Sequence, residues 1–495
     1  MVASRAPKQS SPALLDLEID RGSRDPIFRQ IARQLRGRIG RAALPRGARL
    51  PPTRDLAAQL GVARNCVVEA YDEMIAVGLL EGRGRRGTFV ASTAPATLAA
   101  KIESDCQPAL LRRLRTNKAH EPVLMDAPHD WQPGQANVRT LPVDVWRNAC
   151  REAGRHLPPQ DYGDPRGDPG LRSAIVAWLR EQRSVHVDPD QIVVTQGTGH
   201  ALQLVAQTLL REGDLCATED PGYGGAALAF ARAGASLRYV PVDAEGILIE
   251  HIVGGAAAPL VVHVTPTHQY PLGGPLSGPR RHALIALAHE HQMLIVENEY
   301  DCEFHYAGTR HPPLFSAAPE STLLLNTFAK AVSPALRLGF IAAPPAVAIA
   351  LAAHVERERV HVSWPIQKIV ETLLVSGELD RHLRRVRRHY GAMRDVIRRR
   401  LAEHAGSVTL RGDHGGLHMV IMGRTAAFDL ELRTVLRTRG IMFNEVRDFT
   451  KLAPEANGFL FGYGHMNESE LSRSLDDLIE SIRCVDANGK AGRTR

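Results

Sequence analysis

The chain has 495 residues, too many for one domain, and 44% are hydrophobic, which excludes a disordered protein and leaves room for two to four cores. Its net charge of +7 is unevenly placed: residues 21–90 hold 14 arginines, no lysine and six acidic residues, so everything outside that window sums to about −1. A basic head on a near-neutral body suggests a polyanion partner for the head alone. The polar start over residues 1–11 argues against a signal peptide, and no window is apolar for long enough to cross a bilayer. Six scattered cysteines without a CxxC pair argue against a zinc ribbon or a disulfide framework; a reducing, cytoplasmic setting with no metal site is expected.

Pro26 suits a first helical turn. After it, Ile27, Ile31, Leu35 and Ile39 recur every four residues and predict an amphipathic helix, with Arg29, Arg33, Arg36 and Arg38 largely off its apolar stripe. Residues 46–52 read as a turn-rich connector. Thr53 reads as the N-cap of a short helix through Leu60, with Leu56, Ala57 and Leu60 inward. Gly61-Val62 makes a tight turn, and residues 63–77 are expected to form a longer helix that buries Val67, Tyr71, Met74 and Ile75. Short helix, glycine turn and longer helix make a helix-turn-helix. Residues 79–90 follow as two short strands around a glycine- and arginine-rich tip, a wing.

The head, placed at residues 20–90, resembles the winged helix-turn-helix of GntR-type bacterial regulators over almost its full length. The family pattern is met by Leu50-Pro51, Thr53-Arg54, Leu56-Ala57, Leu60-Gly61-Val62 and Arg64-Asn65. The resemblance implies double-stranded DNA as partner, with the longer helix in the major groove. It makes Thr53, Arg54, Arg64 and Asn65 backbone or base-edge contacts, and Arg85, Arg86 and Gly87 wing contacts. The arginines can take phosphates or guanine edges. Cys66 stands where the family usually has threonine, which removes one hydroxyl contact and bears on which operator is read.

Clear periodicity is lost over residues 91–124, as expected of a linker, with 109–115 either a short helix or part of it. The body, residues 125–485, alternates strands and helices. Strands are expected at 191–195, 214–218, 260–265 and 293–297, and helices at 200–210, up to 230, and 279–291. That order predicts an α/β layering with a mostly parallel sheet. Arginine-rich helices after Pro365 lead to strands at 416–421 and 458–464, a smaller α+β subdomain.

Residues 323–325 read as a buried strand and residues 326–337 as the loop at its carboxyl end. Lys330 in that loop is one of only seven lysines, with Thr327 three residues before it and Arg337 seven after. A lysine amine can form a Schiff base with an aldehyde cofactor, while the hydroxyl and guanidinium can hold its phosphate. Four more polar turns fall at predicted strand ends: residues 197–200, 219–223, 265–271 and 298–301. Amides at Thr198 and Gly199, opening a helix, can cradle phosphate. Tyr223 offers a ring face, and Tyr300 a phenol for a ring oxygen.

The body resembles a fold-type I aminotransferase, and body and head together resemble the MocR subfamily of GntR regulators across residues 20–480. The marks are Tyr162-Gly-Asp-Pro-Arg-Gly167, Glu219-Asp-Pro-Gly-Tyr223, Thr265-Pro-Thr-His-Gln269 and Thr327-Phe-Ala-Lys330. The resemblance implies pyridoxal 5'-phosphate as cofactor, with Lys330 as the Schiff-base lysine and Tyr223 stacked on the pyridine ring. Thr198, Gly199, Thr327 and Arg337 become the phosphate cup. Tyr162 becomes a tyrosine reaching the phosphate from the partner subunit of a head-to-tail homodimer, and His268 lies where the family approaches the ring hydroxyl.

The departures bear on activity. Glu297-Asn-Glu-Tyr-Asp301 puts Asn298 where the family has the aspartate that pairs with the protonated ring nitrogen. Without that carboxylate the ring is a poorer electron sink. Glu299 compensates only if the backbone shifts. Residues 458–464 carry no arginine for a substrate carboxylate, and His465 is the nearest basic residue. The leading expectation is a regulator whose body senses a small amine, an amino acid or the cofactor. An active aminotransferase is the alternative.

Overall fold

The computed structural model describes residues 15–92 and 130–491, apart from Arg24, Ala256 and Thr309. The expected linker, the helix weighed at 109–115 and the first residues of the body thus lie almost wholly outside the described residues. The chain divides into two compact units, Met1–Leu124 and Met125–Arg495.

The first unit runs α1 (Ile27–Gly40), α2 (Thr53–Leu60), α3 (Arg64–Ala76), β1 (Leu80–Gly82) and β2 (Thr88–Val90). Ile31, Leu35 and Ile39 of α1 are fully buried against Leu56, Val67 and Met74. The core also takes in Leu15 and Leu17, and Gln59 Nε2 donates to the Leu15 carbonyl at 2.7 Å. Two local expectations are corrected. Pro52, not Thr53, precedes the first turn of α2, and no side chain caps it. Pro52 is already extended (ψ 144°), so Thr53 is the first helical residue and its hydroxyl instead lies 3.5 Å from Arg64 Nε. Ile75 is 38% exposed, because the buried stripe of α3 runs through Val67, Ala70, Tyr71 and Met74, and the next residue turns 100° away. In the wing, Leu80 pairs with Val90 and Gly82 with Thr88. The connector adds a third edge: Leu50 N donates to Thr88 O and Val90 N to Ala48 O, both at 2.9 Å.

The second unit is built on an eight-stranded sheet of β3 (Ile192–Thr195), β4 (Leu215–Asp220), β5 (Ser236–Asp243), β6 (Gly246–Ile247), β7 (Val261–Val264), β8 (Leu294–Glu299), β9 (Thr322–Thr327) and β10 (Gly339–Ala342). The spatial order is β3-β10-β9-β8-β7-β4-β5-β6. β9, β8, β7, β4 and β5 are parallel, whereas β10 runs antiparallel to β9 and β3, and β6 to β5. Apart from β3 at the far edge, chain order proceeds outward in both directions from the β4–β7 junction, a switch point where the loops leave to opposite sides and open a crevice. β3, β7 and β10 are buried along their whole length, as expected for strands covered on both faces. One face packs Leu202, Val205, Phe230 and Leu351, the other Leu171, Ile175, Leu179 and Leu373.

Beyond the sheet, the helix Glu378–Ala402 leads into a three-stranded antiparallel sheet, β11 (Val408–Arg411), β12 (His418–Gly423) and β13 (Phe459–Gly462). The sequence reading lacked β11, a four-residue strand with only Val408 buried. Trp131, at the start of the described body, is fully buried against Phe459 and Phe461, and its backbone pairs with Met442 O and Gly462 N at 2.8 Å. The body's beginning is therefore stitched to its end.

Candidate functional site

In the first unit, the residues expected at DNA stand in water. Arg54, Arg64, Asn65, Arg85 and Arg86 are all exposed, the first three at the openings of α2 and α3 and the last two at the wing tip. Other arginines of the head are partnered: Arg33 meets Asp25 at 3.0 Å, Arg36 meets Glu73 at 3.4 Å, and Arg83 pairs with Glu81. Among the described residues, Arg54, Arg85 and Arg86 meet no carboxylate. Gly87 has φ 102°, and a Cβ there would lie 3.3 Å from Arg49 Nε, so glycine is required for the tip to fold back. Cys66 is half-buried on the first turn of α3. These are exposed cations without a carboxylate partner among the described residues, on a helix-turn-helix and its wing, an arrangement suited to neutralising phosphates.

In the second unit, the strand-end loops converge on one cavity of about 280 Å³. Of the ten residues expected at the cofactor, eight line it: Thr198, Gly199, Tyr223, Asn298, Tyr300, Thr327, Lys330 and Arg337. Gly197, with φ 87°, turns the chain out of β3, so the helix Thr198–Leu209 opens with its amides and the Thr198 hydroxyl at the cavity. Thr327 ends β9, where its Oγ1 accepts from Ala329 N and donates to Leu338 O, both at 3.2 Å. Arg337 sits in the left-handed region (φ 49°), closing a 3₁₀ turn that returns its guanidinium to this end. Arg337 also holds down the pKa of His200, second to burial.

Lys330 is largely enclosed. Its Nζ donates to the carbonyl of Gly134, whose φ of 88° favours glycine; a Cβ there would lie 2.8 Å from Nζ and displace the amine. Burial lowers the amine's pKa, with Asp301 opposing. A depressed pKa keeps more of the amine neutral, the form that attacks an aldehyde. At the far end Asn298 lines the cavity, with its Nδ2 3.4 Å from His263 Nε2. Burial pushes His263 down to about 3, so no charge stands behind the amide.

Two expected residues lie elsewhere. His268 is behind the wall, not in it: Nδ1 sits 3.0 Å from the Tyr300 hydroxyl and 2.9 Å from Asp301 Oδ2. Gly416 and Gly273 close over its ring so tightly that a Cβ on either would clash with it. Burial opposes its charge, yet Asp301 raises its pKa above the ordinary value. His268 therefore orients Tyr300 and Asp301. Tyr162 is 65% exposed, with the Arg359 guanidinium 4.9 Å from its ring, and it does not line the cavity of its own chain. Glu299 is on the other face of β8, as strand alternation demands. Its carboxylate takes Arg183 Nη2 at 2.9 Å and the Thr267 hydroxyl at 2.6 Å, so it is committed away from the ring end. His465 is likewise absent from the lining.

Sequence reasoning missed Pro133, Gly134, Tyr270, Asp301, Leu417 and His418 as lining residues. Tyr270 and Asp301 belong to loops already singled out. The others come from the two ends of the body, and the Gly134 left-handed turn was their one local signal.

The lining fits pyridoxal phosphate. Thr198 Oγ1 and Asn298 Oδ1, at the phosphate and ring ends, are both buried and lack a hydrogen-bond partner among the described residues. A fold with these strand-end loops, and with a lysine, a helix N-terminus and an arginine around one cavity, defines an aminotransferase-like body. Comparison with known proteins agrees. The family "aminotransferase class I and II" matches residues 133–472, and "bacterial regulatory proteins, gntR family" matches residues 28–90. The α-aminoadipate aminotransferase LysN of Thermus thermophilus superposes with a TM-score of 0.66 at 22% identity, covering 77% of this chain and 96% of that one. Over 485 residues the chain is 31% identical to the probable rhizopine catabolism regulatory protein MocR of Rhizobium meliloti, covering 96% of this chain and 97% of that protein. It is also 31% identical to the pyridoxine biosynthesis transcriptional regulator PdxR of Corynebacterium glutamicum, covering 95% and 99%. The chain belongs to the MocR-type GntR regulators, a DNA-binding winged head fused to an aminotransferase-fold, pyridoxal-phosphate-binding body.

Proposed function

We propose that this regulator holds pyridoxal phosphate at Lys330 and senses a small amine, an amino acid or the cofactor itself without sustained turnover. Asn298 carries this reading: the ring end of the cavity offers an amide backed by a neutral imidazole, and the adjacent Glu299 is spent on Arg183. When bound, the cofactor supplies an aldehyde for the lysine and an electron-withdrawing ring whose strength depends on a protonated nitrogen. An amide does not hold that proton as a carboxylate does. The phosphate would rest on the Thr198 and Gly199 amides, the Thr198 hydroxyl, Arg337 and the Thr327 hydroxyl, whose proton would turn from the Leu338 carbonyl, with Tyr223 against the ring face and Tyr300 at the ring oxygen. In a head-to-tail homodimer the exposed Tyr162 would complete the phosphate cup of the neighbouring copy.

The same cavity offers a route for the signal. It is lined by the large sheet's loops, by Leu417 and His418 of the smaller subdomain, and by Pro133 and Gly134. A ligand touching all three biases the smaller subdomain toward closure. Engaging Lys330 also frees the Gly134 carbonyl, and Gly134 lies near the start of the described body, on the segment that continues back toward the head. Operator binding in the cytoplasm would then follow occupancy of the cavity. An active aminotransferase is the weaker reading, because Arg337 is the one arginine among the described lining residues and the phosphate claims it. In β13 the fully buried Leu460 packs against Val420 and Val446. Absorbance spectra of the protein with cofactor, alone and with a panel of amines, paired with operator titrations, test the reading. A visible lysine-linked band that responds to an amine, together with a change in operator affinity, is expected. A spectrum and an operator affinity that are both unmoved by cofactor and every amine would contradict it.

A further inference from the structure

The helix Glu378–Ala402 carries nine arginines against three acidic residues, an excess of six positive charges on one element of a body that is otherwise acidic. Its two halves treat arginine differently. In the carboxyl half, Arg398 meets Asp413 at 3.0 Å, Arg400 meets Asp476 at 2.7 Å, and Arg394 lies 5.9 Å from the Tyr306 ring centre. Those three cations serve the fold, while Arg399 stands exposed. In the amino half, a concavity is walled by Arg381, Arg384, Arg385, Arg387 and Arg388. Arg381 pairs with Glu378 at 2.8 Å, and Arg387 Nε donates to the Glu303 carbonyl at 2.8 Å. Arg384, Arg385 and Arg388 meet no carboxylate among the described residues. Arg384 and Arg388 are exposed, whereas Arg385 is half-buried, with Nε and Nη2 both shielded and without a hydrogen-bond partner.

Shielding guanidinium nitrogens without a partner is costly, and so is crowding five like charges. A fold gains nothing from either unless an anion supplies the acceptors. Arg381, Arg384 and Arg385, and Arg388 follow a spacing of three to four residues, which places them along one side of the helix. Seven residues cover roughly 10 Å of helix axis, a length over which duplex DNA presents about six phosphate charges. A strip of that kind suits a line of phosphates better than a single one, and like-charge repulsion disfavours the same face of a second copy. We infer that this face of the body is a second binding surface for duplex DNA, sequence-independent and separate from the winged head. The inference rests on the DNA-binding reading of the chain and extends it to the body.

The test uses the full-length protein with R384A/R388A, both exposed positions, and R384K/R388K as the charge-preserving control. Each phosphate contact contributes about 0.9 to the slope of log affinity against log salt. The alanine variant is therefore expected to bind operator and unrelated duplex more weakly at low salt, with a slope shallower by about 1.8, while the lysine variant keeps most of the slope. Melting temperature and cofactor absorbance should match wild type in both. R385K, which keeps the charge and removes the planar fork, gives a smaller loss of affinity. Wild-type operator binding with an unchanged slope in the alanine variant overturns the inference and leaves the regulator reading intact. Preference of the wild type, lost in the alanine variant, for anionic phospholipid vesicles with no change on DNA also overturns it, in favour of a lipid surface. A wild type that binds no duplex removes both.

Discussion

Head and body both present cations at their candidate sites, and they do so in opposite ways. In the head, Arg54, Arg64, Arg85 and Arg86 are exposed and meet no carboxylate among the described residues, on short helices and a three-residue tip. In the body, one arginine, two threonine hydroxyls and the opening amides of a helix close around a small cavity. A long polyanion is met by many weak, interchangeable, salt-sensitive contacts. A single phosphate group is met by few contacts, each directional and shielded, for which the local geometry is fixed by Gly197, Arg337 and the ends of β3 and β9. The difference shows that positive charge alone does not define a site. What matters is whether the fold leaves the charge solvated or commits it.

The largest effect expected is on the head. A chain lacking residues 1–92 should lose specific operator binding altogether, measured by titration against labelled duplex. R54A and R64A should each weaken binding and make the salt slope shallower by about 0.9 if each neutralises one phosphate. A preference for operator over unrelated duplex that survives removal of the head would break the comparison, because the body would then be the reader of sequence.

In the body, Lys330→Ala is expected to abolish the visible band of the lysine-linked cofactor while leaving the melting temperature close to wild type, since Nζ has one backbone partner and ends in the cavity. Peptide mapping after borohydride reduction locates the adduct, and a pyridoxyl group on another lysine would refute the assignment. Arg337→Ala should weaken cofactor binding by roughly 10- to 100-fold, the loss of a charge-assisted hydrogen bond worth about 1.5–3 kcal/mol. Unlike the head variants, its effect should depend little on salt.

Much of this was legible in the sequence, for a physical reason. The candidate phosphate end, Lys330 and Asn298 each sit within a few residues of a strand end, so a local motif carries both the residue and its placement. The winged head was legible because its turn and apolar stripes are short-range. Missing were the relations that need the folded chain. Gly134 reaches Lys330 across almost two hundred residues, because Trp131 is locked under β13. His268 lies behind Tyr300 because Gly273 and Gly416 admit its ring there. Glu299 faces Arg183 because β8 alternates, a consequence that required knowing β8 extends to residue 299. In α2, Thr53 resembled a cap only while Pro52 was read as part of the connector.

The smallest expected effect concerns Glu219, at the end of β4 beside the cavity. Burial raises its carboxyl to about 7, against hydrogen bonds from Thr265 and Gln269 that favour ionisation. The fold thus prefers the neutral acid. That contribution is fully present below the ordinary carboxyl range and is lost as pH rises through about 7. The wild type should therefore lose melting temperature between pH 5 and 8, and Glu219→Gln should flatten that fall. Parallel curves for the two proteins would mean that Glu219 is ionised throughout.

The most direct measurement is the conversion of bound pyridoxal phosphate to pyridoxamine phosphate by amino acids, followed by absorbance for wild type and Asn298→Asp. The wild type should bind the cofactor and convert it negligibly, whereas the aspartate variant should convert it at least about 10-fold faster, the equivalent of roughly 1.4 kcal/mol of transition-state stabilisation. Rapid, multiple-turnover transamination by the wild type would contradict the account and make the chain an enzyme with a DNA-binding head.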